Sequence, residues 1–256
     1  MTEAQTTLDA FHRGNFWLVQ PARGAHRSGT DALMLAAAVP STFSGKLADF
    51  GAGAGAAGLA VASRCSACKV VLIEKSGEMA SYARRTLAHL NNAHLAERAD
   101  VIEADLTLAG KARRDAGLAD NCLDYVIMNP PFNAPRDRAT PDVLRKEAHV
   151  MEDGLFEHWV RSAAAMVKPR GGLAIIARPQ SLASILSALE GRFGNAEIVP
   201  VHPRTDAAAI RIILRAVRAS RGGLSLKPAL IAHGEGREFS QRADDINNGR
   251  ASLFGD

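Results

Sequence analysis

Short β-branched runs alternate with Ala- and Leu-rich stretches of helical period along most of the chain, a pattern that predicts strands joined by helices around a parallel sheet. Strands are expected at Lys46–Phe50, Lys69–Glu74, Asp100–Asp105, Leu123–Asn129 and Gly172–Ala177. Helices are expected over Gly55–Arg64, Gly77–Asn91, Leu155–Val167 and Ser181–Gly191. The stretch from Asp105 to Asn121 is polar and is expected to be irregular. After Gly194 the pattern changes. Glu197–His202 and Ala208–Val217 read as two strands joined by a Pro-containing turn, an antiparallel pair at a sheet edge, with Ala229–His233 as a candidate extension. Ahead of the first core strand, Gly14–Pro40 includes a helix over Thr30–Val39, and the polar tail after Gly234 holds a short helix capped by Ser240. Without repeats or a low-complexity linker, residues 1–256 read as a single α/β domain, with 1–45 packed on the core and 235–256 as a tail.

Composition changes this picture little. Hydrophobic residues make up 47% of the 256 and charged residues 23%, the balance of a globular chain that buries a sizeable core. The opening is polar, and no apolar run approaches the ~20 residues that span a bilayer, so neither a leader nor a membrane span is expected and the expected location is the cytoplasm. A net charge of +4, from 31 basic and 27 acidic residues, permits a polyanionic partner without requiring one. Cys65 and Cys68 form a C-x-x-C with no second pair to complete a structural zinc site, and the pair follows a helix instead of opening one. They are expected to be small thiols at a helix end, and no metal is expected.

The first candidate chemistry is the loop Asp49-Phe50-Gly51-Ala52-Gly53-Ala54-Gly55-Ala56-Ala57-Gly58, which follows a strand and opens a helix. Glycines there let the backbone turn sharply and approach a ligand, and the helix start offers unpaired N–H groups. Gly53-x-Gly55-x-x-Gly58 also satisfies the dinucleotide fingerprint, and Glu74, ending the next strand, suits the ribose hydroxyls of either kind of cofactor. Asp49 favours S-adenosylmethionine over a nicotinamide cofactor, because a carboxylate suits a cationic amino acid and would repel a pyrophosphate. Asp105 ends the third expected strand, where it can accept from the cofactor's adenine amino group.

The second is Asn129-Pro130-Pro131-Phe132, directly after an apolar strand. Each residue before a proline is held extended, and neither proline carries an N–H, so the stretch presents acceptors with few competing donors. The Asn129 side-chain oxygen and the Pro130 carbonyl can converge on one –NH2 group, while Phe132 offers a flat face for a base. A conjugated amine is a poor nucleophile. Accepting both its hydrogens favours a tetrahedral nitrogen aimed at a sulfonium methyl, so orientation supplies much of the catalysis and no strong base is needed.

On these residues the chain resembles the class I amino-methyltransferases with an N/D/S-P-P-Y/F motif, and is most similar to the bacterial tRNA(Val) adenine-N6-methyltransferase family. Gly29-Thr30-Asp31-Ala32, Arg145–Phe156, Val167–Gly172, His202-Pro203-Arg204 and Arg211–Leu214 also match. The resemblance implies a Rossmann-like, doubly wound, seven-stranded and mostly parallel sheet with an antiparallel last strand. It implies cofactor contacts from Thr30, Asp49, Gly51, Gly53, Gly55, Glu74, Asp105 and Asn129, and catalysis at Asn129 with Pro130 and Phe132. It implies methyl transfer to adenine N6 in tRNA. Guanine N2 in rRNA, adenine in DNA and a protein glutamine amide present the same planar –NH2; the room before Lys46 counts against the last, whose release-factor enzymes carry a separate N-terminal domain. A nicotinamide oxidoreductase and a non-catalytic RNA-binding module are the competing classes.

For an RNA substrate, Pro131 of the motif, Arg136, Arg138, Arg145 and Lys146 after it, and Arg13, Arg23, His26 and Arg27 before the core, are expected around the pocket mouth at the C-terminal edge of the sheet. Arg211, Arg215 and Arg218 are expected to protect a solvated edge strand.

Overall fold

The computed structural model describes residues 6–22, 28–131 and 142–256, the side chains of 142–153 excepted. An antiparallel hairpin of β1 (Thr6–Phe11) and β2 (Phe16–Pro21) precedes α1 (Thr30–Ala36). The alternating part then runs β3 (Gly45–Phe50), α2 (Ala56–Arg64), β4 (Cys68–Glu74), α3 (Gly77–Ala88), α4 (Ala93–Ala96), β5 (Ala99–Glu103), α5 (Gly110–Asp115), β6 (Leu123–Met128), α6 (Asp142–Met166) and β7 (Val167–Ala177). It closes with α7 (Leu182–Leu189), β8 (Phe193–His202), β9 (Arg211–Arg218), β10 (Ser225–Leu226), β11 (Leu230–Ile231) and α8 (Gln241–Asn247).

The seven long strands lie in the order β5-β4-β3-β6-β7-β9-β8, all parallel except β9, which is antiparallel to both neighbours. This is the Rossmann-like sheet with an antiparallel last strand that the resemblance implied. Two short strands, β10 and β11, add parallel pairings to β8 and bring the sheet to nine. Strand order reverses between β3 and β6, and in open α/β sheets such a switch point leaves a crevice at the carboxyl ends of the strands.

Alternate residues of each strand serve opposite faces. Leu47, Val70, Leu72, Ile127, Ala174 and Ile213 pack under α1 and α2, whereas Ala48, Phe50, Val71, Ile73, Val126 and Ile175 pack under α6 and α7. Burial on both sides explains why the parallel strands read as continuous apolar runs.

Two expectations need correction. The pair β8–β9 exists, but β9 lies between β8 and β7, so its arginines guard no edge. Arg211 bonds Asp31 at 2.8 Å; Arg215 bonds Glu197 and Asp256, each at 2.6 Å; Arg218 donates to the Ala164 carbonyl at 2.8 Å. The stretch after Asp105 is not wholly irregular: it forms α5, whose buried Arg113 donates to the Leu118 carbonyl and pairs with Asp120. The polar opening, for which no element was expected, contributes the β1–β2 hairpin. The free edge of β2 is met by side chains instead of a strand: Asn92 accepts from Trp17 N at 2.9 Å and donates to its carbonyl at 2.7 Å. Thr86 accepts from Val19 N at 2.9 Å. Val19 packs with Ala54 and Tyr82, which brings the hairpin against the glycine turn.

Several expectations hold. Ser240 caps α8, accepting from Ala243 N. Cys65 and Cys68 are free, buried and placed just past α2, and burial pushes both thiols up, Cys68 to about 12. Such thiols are inert at neutral pH.

Candidate active site

The register of the sheet assembles the site. Phe50 pairs with Met128 on one side and with Ile73 on the other. One residue further along each strand, Gly51, Asn129 and Glu74, the last residue of β4, therefore stand side by side at the end of the sheet. Gly51 N and Ala52 N both donate to the Ile73 carbonyl, at 2.8 and 3.1 Å, which turns the chain back over the end of β4. Gly51, Gly53 and Gly55 all have left-handed φ, at +72°, +56° and +98°. A side chain at Gly51 would strike Trp159, with Cη2 at 2.5 Å, and one at Gly55 would strike Leu72 at 2.8 Å. At Gly53 an added Cβ would meet nothing nearer than Met79 Cε at 3.8 Å. Packing thus closes the turn at two glycines and leaves it open at the middle one.

Glu74 braces this opening. One carboxylate oxygen accepts from Gly53 N at 2.9 Å and the other from Ser76 N at 2.8 Å. A carboxylate has about four acceptor positions, so two remain for ligand hydroxyls. Asp105 lies two residues past β5. Partial burial pushes its carboxyl up, but bonds from Lys75 Nζ at 2.7 Å and from Thr107 outweigh that and bring it down to about 2. Thr30 opens α1, exposed, beside the Asp31–Arg211 pair. Because β9 is antiparallel, its first residue, Arg211, marks the edge at which the parallel strands end, so Thr30 belongs to the same edge.

Asp49 differs from its expected placement. It is 2% exposed and lies behind the turn, accepting from Gly58 N in the first turn of α2 at 2.8 Å. Burial pushes its carboxyl up to about 7, against the Gly58 hydrogen bond and with the Glu74 charge adding to the rise. Gly58 is required by closeness: a Cβ there would come within 2.5 Å of Leu72 and 3.2 Å of the Asp49 Cβ.

At the end of β6, Asn129 is half-buried, Pro130 buried and Pro131 exposed. The Asn129 Oδ1 is buried and has no hydrogen-bond partner among the described residues. A buried carbonyl oxygen left without a donor costs roughly 1–3 kcal/mol, so this oxygen is open to a donor that the described residues do not supply.

Phe132, Arg136 and Arg138 lie outside the described residues, as do Arg23, His26 and Arg27, and the side chains of Arg145 and Lys146 on α6 are likewise outside. Arg13 does not border the crevice: it pairs with Asp244 of α8, and its neighbour His12 contacts Ser63 at the far end of α2. Three neighbours of the site went unnoticed in the sequence. Lys75, next to Glu74 at a strand end, could have been found from position. Trp159 and Ser162 could not, because nothing local says which side chains of α6 reach the turn.

The family model described as methyltransferase small domain matches residues 25–204. Two curated proteins, tRNA1(Val) (adenine(37)-N6)-methyltransferases from two strains of Bacteroides fragilis, are each 26% identical over 154 residues, 59% of this chain and 60% of theirs. The match therefore spans less than two thirds of those relatives. Among solved structures, a predicted O-methyltransferase from Agrobacterium tumefaciens is 42% identical with a TM-score of 0.76, covering 87% of this chain and 98% of that one. TYW2 from M. jannaschii, solved in complex with AdoMet, shares the fold at 13% identity and a TM-score of 0.54, over 85% of this chain and 87% of its own.

Proposed function

The chain belongs to the methyltransferase small domain family and is an S-adenosylmethionine-dependent methyltransferase, and from that premise we propose that its acceptor is the exocyclic amino group of a nucleobase, adenine N6 in tRNA. The cofactor supplies a methyl group on an electrophilic sulfonium. The chain's own residues bind and orient. Gly51, Gly53 and Gly55 form the floor, Glu74 has lone pairs left for ribose hydroxyls, and Asp105, charged at any physiological pH, is an acceptor for an adenine amino group. The opening above Gly53 and the orphaned oxygen of Asn129 fit a ligand of this kind.

One observation carries the amino acceptor: a buried carboxamide oxygen without a donor among the described residues, beside the glycine turn. With the Pro130 carbonyl it offers two acceptors to one –NH2, which orients the nitrogen lone pair and excludes water from it. An oxygen acceptor, the chemistry named for the Agrobacterium protein, would need a base to take the hydroxyl proton. The described carboxylates at this edge have other places in this reading: Asp49 is buried against Gly58, and the lone pairs that Glu74 and Asp105 have left are the ones offered to the cofactor's hydroxyls and adenine. The function named for the Bacteroides relatives supports tRNA as substrate, with Arg136, Arg138 and Lys146 as its phosphate contacts and Pro131 and Phe132 against the base.

The test is incubation with methyl-labelled cofactor and separate pools of tRNA, rRNA, DNA and protein, followed by mass spectrometry of the labelled product. N6-methyladenosine from the tRNA pool is expected. Label confined to a ribose or side-chain oxygen would refute the amino acceptor, and label in rRNA guanine, DNA adenine or a glutamine amide would keep the chemistry and replace the substrate.

A further inference from the structure

Helix α6 touches the cofactor side of the site with two side chains three residues apart. Trp159, 7% exposed, lays the outer edge of its indole on the backbone of Gly51, so close that a Cβ there would lie 2.5 Å from Cη2 and 3.2 Å from Cζ3. Ser162, 2% exposed, donates to the Leu106 carbonyl at 2.6 Å, in the loop that carries Asp105. Residues i and i+3 share one face of a helix, so a single face spans both segments.

The same helix is tied to the acceptor side. It packs against β7, whose parallel pairing with β6 sets the end of the strand from which Asn129 emerges. Its Phe156, Val160 and Ala163 are buried in the same cluster as Val126 and Met128 of β6. The glycine turn and the Asp105 loop leave different strands, β3 and β5, and β4 separates them. Among the described residues no backbone hydrogen bond joins them to each other; each hangs separately on the end of β4, and Trp159 and Ser162 give both one further rigid support.

We propose that Trp159 and Ser162 are positioning residues: they hold the glycine turn and the Asp105 loop at a fixed distance and angle to Asn129. The inference rests on the cofactor site described above. The indole acts through contact alone, and its outer ring atoms are what Phe would lack. Trp159→Phe removes the support at Gly51 while keeping an aromatic ring in the core, and Ser162→Ala leaves the Leu106 carbonyl without its donor. Loss of fixed orientation affects turnover more than binding, since misplacement by about 1 Å costs on the order of 100-fold in rate.

The test uses S-adenosylhomocysteine as the probe and the full chain throughout. Calorimetric affinity and turnover at saturating cofactor are measured well below the melting temperature for the parent, Trp159→Phe and Ser162→Ala. The expected result for Trp159→Phe is at least about fivefold weaker binding, the lower end of ordinary coupling between sites, with a larger loss in turnover. A merely structural tryptophan would lower the melting temperature and leave the affinity of the folded protein alone. Since Trp17 is the other tryptophan of the two, Trp17→Phe makes Trp159 the sole tryptophan, and its fluorescence, excited selectively over tyrosine, is expected to change saturably as the probe binds. Affinity within twofold of the parent in Trp159→Phe, or saturable binding with no change in Trp159 emission, overturns the proposal. Should Trp159→Phe fail to fold, the emission experiment decides alone. A parent that binds no probe at all would instead refute the cofactor site itself.

Discussion

Replacing Asp49 by Asn tests the buried carboxylate under the glycine turn. Asp49 is sealed beneath the turn, where it accepts from the Gly58 N–H, and burial moves its carboxyl from 3.8 to about 7. At about 1.4 kcal/mol per pH unit, that rise corresponds to about 4 kcal/mol against folding once the group is ionised. Below about pH 4 the group is protonated in both the folded and unfolded chains, and its contribution is complete. Between about pH 4 and pH 7 the unfolded chain has released this proton and the folded chain retains it, so stability falls as pH rises, by up to about 1.4 kcal/mol per unit, and levels off above pH 7. Asparagine keeps the acceptor for Gly58 and does not titrate. The stability of Asp49→Asn minus that of the parent should therefore climb with pH across this window. Urea melts of both proteins at pH 5, 6, 7 and 8 measure it, and contributions of other carboxylates, such as Asp105, cancel in the difference. A difference that stays flat would mean that Asp49 is ionised in the folded protein throughout, and the account of its burial would be wrong.

Three further outcomes follow from the site. Asn129→Ala should lower turnover on the order of 100-fold, in keeping with loss of one oriented polar group, while calorimetric affinity for S-adenosylhomocysteine changes little; undiminished turnover would remove its proposed role. Glu74→Ala removes the acceptor for Gly53 N and Ser76 N together, and should weaken S-adenosylhomocysteine binding by about 10-fold or more; unchanged affinity would place the cofactor elsewhere. Charge reversal of Arg136, Arg138 and Lys146 should weaken tRNA binding and reduce its salt slope by about one for each phosphate no longer neutralised, whereas a parental slope would move the RNA surface elsewhere.

The sequence alone determined the alternating part of the fold, the glycine turn and the acceptor motif. Each is a local signal: apolar runs set the parallel strands, the positive φ of Gly51, Gly53 and Gly55 demands glycine, and consecutive prolines hold Asn129 extended whatever surrounds them. Tertiary structure decided the rest, because it depends on which groups meet across long stretches of chain. The β1–β2 hairpin is docked by the side chains of Thr86 and Asn92, more than sixty residues on, so no strand-pairing pattern announced it. The arginines of β9 looked like edge protection until the strand proved to lie between β7 and β8, where each finds a partner. Asp49 looked like a ligand contact from its spacing; its direction beneath the turn follows from how α2 packs on β3 and β4. Sequence separation conceals such contacts because a side chain's neighbours are set by the packing of whole elements, and periodicity reveals only which face of its own element it occupies.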